Sequence, residues 1–137
     1  MLDLDRLHEV VAHGGGRQAG HTYALLVEAF QACEFIDGDV AILVPNYRAL
    51  RHTMMMARDV ARDMNYIPIF EREGWKIFGC RVRVVTPQTN LRGIHWQRAF
   101  RDSWFTGPYT RQEEDYARAS DELERCEIMY GRLPEKE

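Results

Sequence analysis

Residues Val40 to Pro45, reading VAILVP, form a short apolar run rich in branched side chains and closed by a proline. The run is too short for a core helix and apolar on both faces. It therefore predicts a strand in the interior of a sheet, with helices packed on it. Asp37-Gly38 provides the turn before it. Asn46, immediately after the proline, is placed to cap a following helix, because its side-chain oxygen can accept an amide of the first turn. That helix runs to about Met64, with Leu50, Met54, Ala57, Val60 and Ala61 as its apolar stripe.

Upstream lies GGGRQAGHT, Gly14 to Thr22. Gly15, Gly20 and Thr22 satisfy the phosphate-loop pattern G-x-x-x-x-G-K-[ST], with His21 where lysine is expected. Glycines allow successive backbone amides to turn inward and form an anion-binding nest at the start of the next helix. Leu25, Leu26, Ala29, Phe30 and Cys33 then recur at helical spacing, with Glu28, Gln31 and Glu34 left for water. The expected contacts to a phosphate are the segment Gly15, Gly16, Arg17, Gln18, Ala19, Gly20, His21 and Thr22, with the Thr22 hydroxyl directed at a magnesium ion. Histidine is shorter than lysine and mostly neutral near pH 7, so His21 weakens this site, and Arg17 can replace part of the missing charge. The competing reading is a flexible turn between two helices.

The 137 residues correspond to one domain, and 45% hydrophobic content is enough for an ordinary core. A net charge of −3 argues against a generally basic nucleic-acid binder. The charge is segregated all the same: Arg81, Arg83, Arg92, Arg98, Arg101 and Arg111 lie in the middle, and Glu113, Glu114, Asp115, Asp121, Glu122, Glu124 and Glu127 crowd the end. Cys33, Cys80 and Cys126 have no C-x-x-C spacing and suggest neither zinc nor a disulfide framework. There is no charged-then-apolar leader and no apolar run near the length of a membrane span, so no membrane partner and a cytoplasmic location are expected.

Asp3 to His13 has the spacing of a short amphipathic helix. Tyr66–Phe70 and Trp75–Phe78 read as short strands joined by Glu71 to Gly74, and Val82, Val84 and Val85 as another strand ending at Pro87. Thr110 to Tyr130 reads as a helix with Tyr116, Ala119, Leu123, Cys126 and Met129 or Tyr130 on one face. Strands alternating with helices, after an early phosphate loop, predict an α/β fold: a three-layer sandwich with a mainly parallel sheet.

The order GGGRQAGHT, helix, AILVPN, helix, VRVVTP, LRGIHW and RAFRDSW resembles that of the P-loop NTPases of the helicase and terminase type, including small phage-encoded proteins. The resemblance covers about Gly14 to Trp104. It implies a P-loop NTPase-like fold and binding of ATP or GTP with Mg2+. Asp102 then stands at the position of the magnesium-binding acid, with Thr22 as the second metal-side residue. Ser103 occupies the place of the catalytic glutamate, and serine is no general base at neutral pH without a partner, so hydrolysis is expected to be weak or absent. The alternative function is a decayed site acting as a binding module for nucleic acid or protein.

Arg98 and Arg101 interrupt the apolar run before Asp102 and can face phosphates or pair with the acidic terminal helix, the second being preferred. Trp96, Trp104, Phe105 and Tyr109 interleave with arginines and offer a candidate clamp for single-stranded nucleic acid, or simply core. His8, His13, His21, His52 and His95 share no metal-ligand spacing.

Overall fold

The computed structural model describes residues 16–102 and 111–131. The expected helix Asp3–His13, the loop glycines Gly14 and Gly15, and Ser103, Trp104, Phe105 and Tyr109 lie outside the described residues. The elements are α1 (Gly16–Ala32), β1 (Gly38–Leu43), α2 (Tyr47–Asp63), β2 (Ile69–Glu71), β3 (Gly74–Ile77), β4 (Cys80–Val85), β5 (Trp96–Arg101) and α3 (Arg111–Tyr130).

The five strands form one sheet in the order β2-β3-β4-β1-β5. β1 runs parallel to both β4 and β5, and the pairs β2–β3 and β3–β4 are antiparallel. The expected mainly parallel, P-loop NTPase-like sandwich is thereby overturned: the sheet is mixed. The cause is local. Residues 72–73 and 78–79 join β2 to β3 and β3 to β4, and connections that short force antiparallel neighbours, whereas parallel neighbours need a long crossover.

Val40 to Val44 is completely buried, and its alternate residues serve two cores. Val40, Ile42 and Val44 pack with α1 and α2 through Leu26, Phe30, Ala57 and Val60. Ala41 and Leu43 face α3 and meet Tyr116, Ala119 and Leu123. Burying five apolar residues on both faces, at roughly 25 cal/mol per Å2 of apolar surface removed from water, is what holds this run in the sheet interior, between β4 and β5. α2 follows the predicted pattern. Asn46 Oδ1 accepts the Ala49 amide at 2.8 Å, and the buried stripe includes Leu50, Met54, Ala57, Val60 and Ala61.

α3 covers β1, β5 and the end of β4, so among the described residues the third layer is incomplete and no helix lies on the β2–β3 hairpin on that side. Its stripe ends at Cys126; Met129 is exposed and Tyr130 partly so, against expectation. α1 begins at Gly16, about one turn earlier than the glycine pattern suggests. Arg17, Gln18 and Ala19 are good helix formers, which outweighs the cost of Gly16 and Gly20.

Candidate functional site

Because β1, β4 and β5 are parallel, their carboxyl ends reach one edge of the sheet, where ligands bind in open α/β sheets. The edge is tightly joined. The Val44 amide donates to Val85 O and the Asp102 amide to Leu43 O, each at 2.9 Å. Asp102 therefore leaves β5 with its backbone fixed and its side chain held at the strand end.

The Thr22 hydroxyl donates to Asp102 Oδ2 at 2.6 Å, across 80 positions of sequence. Both residues are buried, Thr22 at 1% and Asp102 at 3% exposure. The other carboxylate oxygen, Asp102 Oδ1, is also buried, yet has no hydrogen-bond partner among the described residues. An ionised carboxylate out of water with one oxygen unsatisfied is costly, and such groups commonly mark an absent ion or ligand. His21 Nε2 stands 4.0 Å from Oδ1, beyond hydrogen-bond range, and the imidazole is largely exposed.

α3 closes the same edge from the other face. Gln112 Nε2 donates to Pro45 O at 3.3 Å, and the Tyr116 hydroxyl reaches Leu43 O at 3.5 Å. The Tyr116 phenol is pushed above its ordinary range, chiefly by burial and next by the Asp102 charge, with Arg101 opposing. Neither residue was found from sequence, since only the fold brings α3 to the end of β1.

The two arginines that interrupt the approach to Asp102 do so harmlessly. Arg101 leaves the sheet to bond Ser120 Oγ at 2.7 Å and Glu127 Oε1 at 2.8 Å, the preferred pairing with the terminal helix. Arg98 instead lies over the Phe100 ring, 4.9 Å from its centroid. β5 is an edge strand, so these side chains pass beside the core rather than through it.

The structure thus joins Thr22 and Asp102, brings His21 near them, and leaves Gly15 outside the described residues. Gly16, Arg17, Gln18 and Ala19 form the first helical turn instead of a loop. Only the first four amides of a helix lack intrahelical acceptors, so in this form the free donors belong to residues 16–19, and those of Gly20 to Thr22 are committed to the helix. At 1.5 Å per residue, Gly16 and Thr22 are separated by about 9 Å along the axis. Among the described residues no group of three His, Cys, Asp or Glu is arranged to hold a metal ion, and no helix is long and apolar enough to cross a membrane. Comparison with known proteins gives no matching family model and no similar curated protein or solved structure.

Proposed function

We propose that the chain binds a nucleoside triphosphate, ATP or GTP, with magnesium at the amino-terminal end of α1, and hydrolyses it weakly or not at all. The observation that carries this is the Thr22–Asp102 hydrogen bond, with Asp102 Oδ1 left buried and unsatisfied beside it. A hydroxyl and a carboxylate are hard oxygen donors of the kind magnesium takes, one or two from protein and the rest from water and phosphate. An ion held there would supply charge neutralisation to phosphate oxygens. Thr22 and Asp102 would hold the ion, and the amides of the glycine segment would cradle phosphate.

Two features limit turnover. His21 supplies no permanent charge to the phosphates, and Ser103 stands in the sequence where the resemblance calls for the catalytic glutamate. Ligand binding also requires the first turn of α1 to open, so that the amides of Gly20 to Thr22 face the phosphates. Gly16 and Gly20 lower the cost of that opening. A cytoplasmic site of action, where these nucleotides are abundant, belongs to the same proposal. The helical conformation of Gly16–Ala19 favours a second function, a module that binds nucleic acid or protein and no nucleotide.

Calorimetry with ATP and with GTP, each with and without magnesium, separates the two, together with amide spectra of Gly20, His21 and Thr22. Magnesium-dependent heat with shifts at those amides is expected. No heat and no shift at millimolar nucleotide overturns nucleotide binding. His21→Lys should tighten the affinity by about tenfold, the scale of one added charge-assisted hydrogen bond.

A further inference from the structure

Away from that edge, the face of the β2–β3–β4 hairpin left open by α3 carries a second site. Across the strands Glu71 pairs with Gly74 and Gly74 with Arg83, so a position without a side chain lies between an acid and an arginine. Gly74 is obligatory there: a Cβ would stand 2.0 Å from the Val82 carbonyl oxygen. The close approach of the β3 and β4 backbones is therefore built into the strand packing. On the flanking residues is a cavity of about 400 Å3, lined by Glu71, Arg72, Glu73, Arg81, Arg83 and Thr89 among others.

The charges in this cavity are unevenly satisfied. Glu71 is taken by Arg81, through Nε to Oε1 at 3.0 Å and an NH2 to Oε2 at 3.3 Å. Thr89 Oγ1 already accepts the Thr86 amide at 3.0 Å. Arg83 Nε is buried and has no acceptor among the described residues. Arg83 is only half-buried, but a guanidinium cannot shed its proton, so its buried Nε–H is costly until an acceptor meets it. Its fork matches the paired oxygens of a carboxylate or phosphate.

We infer that this cavity is a binding site for a small ligand bearing an oxyanion, carboxylate or phosphate, gripped by the Arg83 guanidinium. The size suits a small molecule, and three arginines against two glutamates leave the lining positive. Glu71 holds Arg81 aside, and Arg83 Nε is left as a donor without an acceptor among the described residues. The inference stands apart from nucleotide binding at α1 and does not depend on it.

The Arg83 Nε–Hε resonance, followed during titration of the full chain with inorganic phosphate and separately with acetate, tests this directly. A saturable shift at Arg83, with Val84 and Thr89 following, is expected, at a Kd of about 1–10 mM for one forked contact. Saturation by phosphate alone assigns a phosphoryl ligand, and saturation by acetate alone a carboxylate; either supports the site. Arg83→Gln should abolish saturation at Val84 and Thr89, and Arg83→Lys should weaken it several-fold. Phosphate acting at α1 would move Thr22 instead. No saturable shift with either anion, or an unchanged response at Val84 and Thr89 in a folded Arg83→Gln variant, overturns the inference. Since the Arg83 signal is read in the natural chain, a variant that failed to fold would leave the test intact.

Discussion

Glu127 on α3 closes the outer edge of β5 at Ala99: its Oε2 accepts the Ala99 amide at 3.0 Å while its Oε1 takes the Arg101 guanidinium at 2.8 Å. Arg101 in turn donates to Ala99 O at 3.2 Å. One carboxylate and one guanidinium thus satisfy both backbone groups of a residue that would otherwise be open to another strand, a recognised hazard of sheet edges.

Glu127→Ala should therefore destabilise the fold by about 1–3 kcal/mol, because it leaves the Ala99 amide without an acceptor and the Arg101 charge without its counter-ion, although Arg101 keeps its bonds to Ser120 and Ala99 O. Glu127→Gln, which keeps the acceptor but not the charge, should cost about 1 kcal/mol. Urea midpoints give the order, and the Ala99 amide should exchange faster with solvent in the alanine variant. Equal stability of both variants and the natural chain would remove the edge-closing role.

Thr22→Val deletes the hydroxyl at nearly constant volume and leaves the Asp102 carboxylate with neither oxygen hydrogen-bonded among the described residues. The expected cost is about 1–3 kcal/mol. Asp102→Asn in the same background should recover part of it by neutralising the buried charge. Additive losses in the double variant would mean that the two residues do not interact in solution.

Tyr116 gives the protein an alkaline limit. Its native pKa is raised, first by burial and then by the Asp102 charge, so the folded chain holds this proton more tightly than the unfolded one. Its contribution is full below the ordinary tyrosine value of about 10 and is lost as pH rises through that value towards the higher native one. Tyr66, raised by burial and Glu34, acts in the same direction. Tyr116→Phe should be less stable near neutral pH by about 1 kcal/mol, yet lose less between pH 9 and about 11, at up to 1.4 kcal/mol per unit avoided. Parallel pH profiles for the two proteins would refute this.

Single-stranded DNA should not be retained at about 0.15 M salt, where exposed charges are screened beyond about 8 Å. Arg81 is held by Glu71, Arg101 by Glu127, and Arg98 lies on Phe100, so the arginine-rich middle of the chain forms no continuous free face among the described residues. A gel-shift titration decides it. Binding that falls steeply with salt, and is lost in Arg98→Ala with Arg101→Ala, would mean that these pairs open to accept phosphate.

How far the sequence reveals this molecule depends on the range of the interaction involved. The buried run Val40–Val44, the Asn46 cap and the stripe of α2 are written in neighbouring residues, and all three are found in place. Strand direction is not written that way. Val82, Val84 and Val85 would look the same in a parallel or an antiparallel strand, and only the short connections around β3 decide the pairing. Asp102 is visible as an acid after a strand, but Arg98 and Arg101 obscure it, because periodicity cannot show that Glu127 draws one of them sideways. Tyr116 and Gln112 reach the site from α3 by packing alone, and Arg83 comes opposite Gly74 only through the antiparallel pairing of β3 with β4.

The position of β1 between β4 and β5 also sets an order of events. Both of its partners, β4 and β5, come later in the chain, so on a ribosome the most apolar strand emerges first and waits with both edges bare. The hairpin strands reach it next, and Asp102 arrives only with the last strand. Until then Thr22 has no carboxylate to meet, and a chain interrupted anywhere before β5 holds a sticky strand and no site. Assembly of the sheet and assembly of the candidate site are thus completed by the same final step.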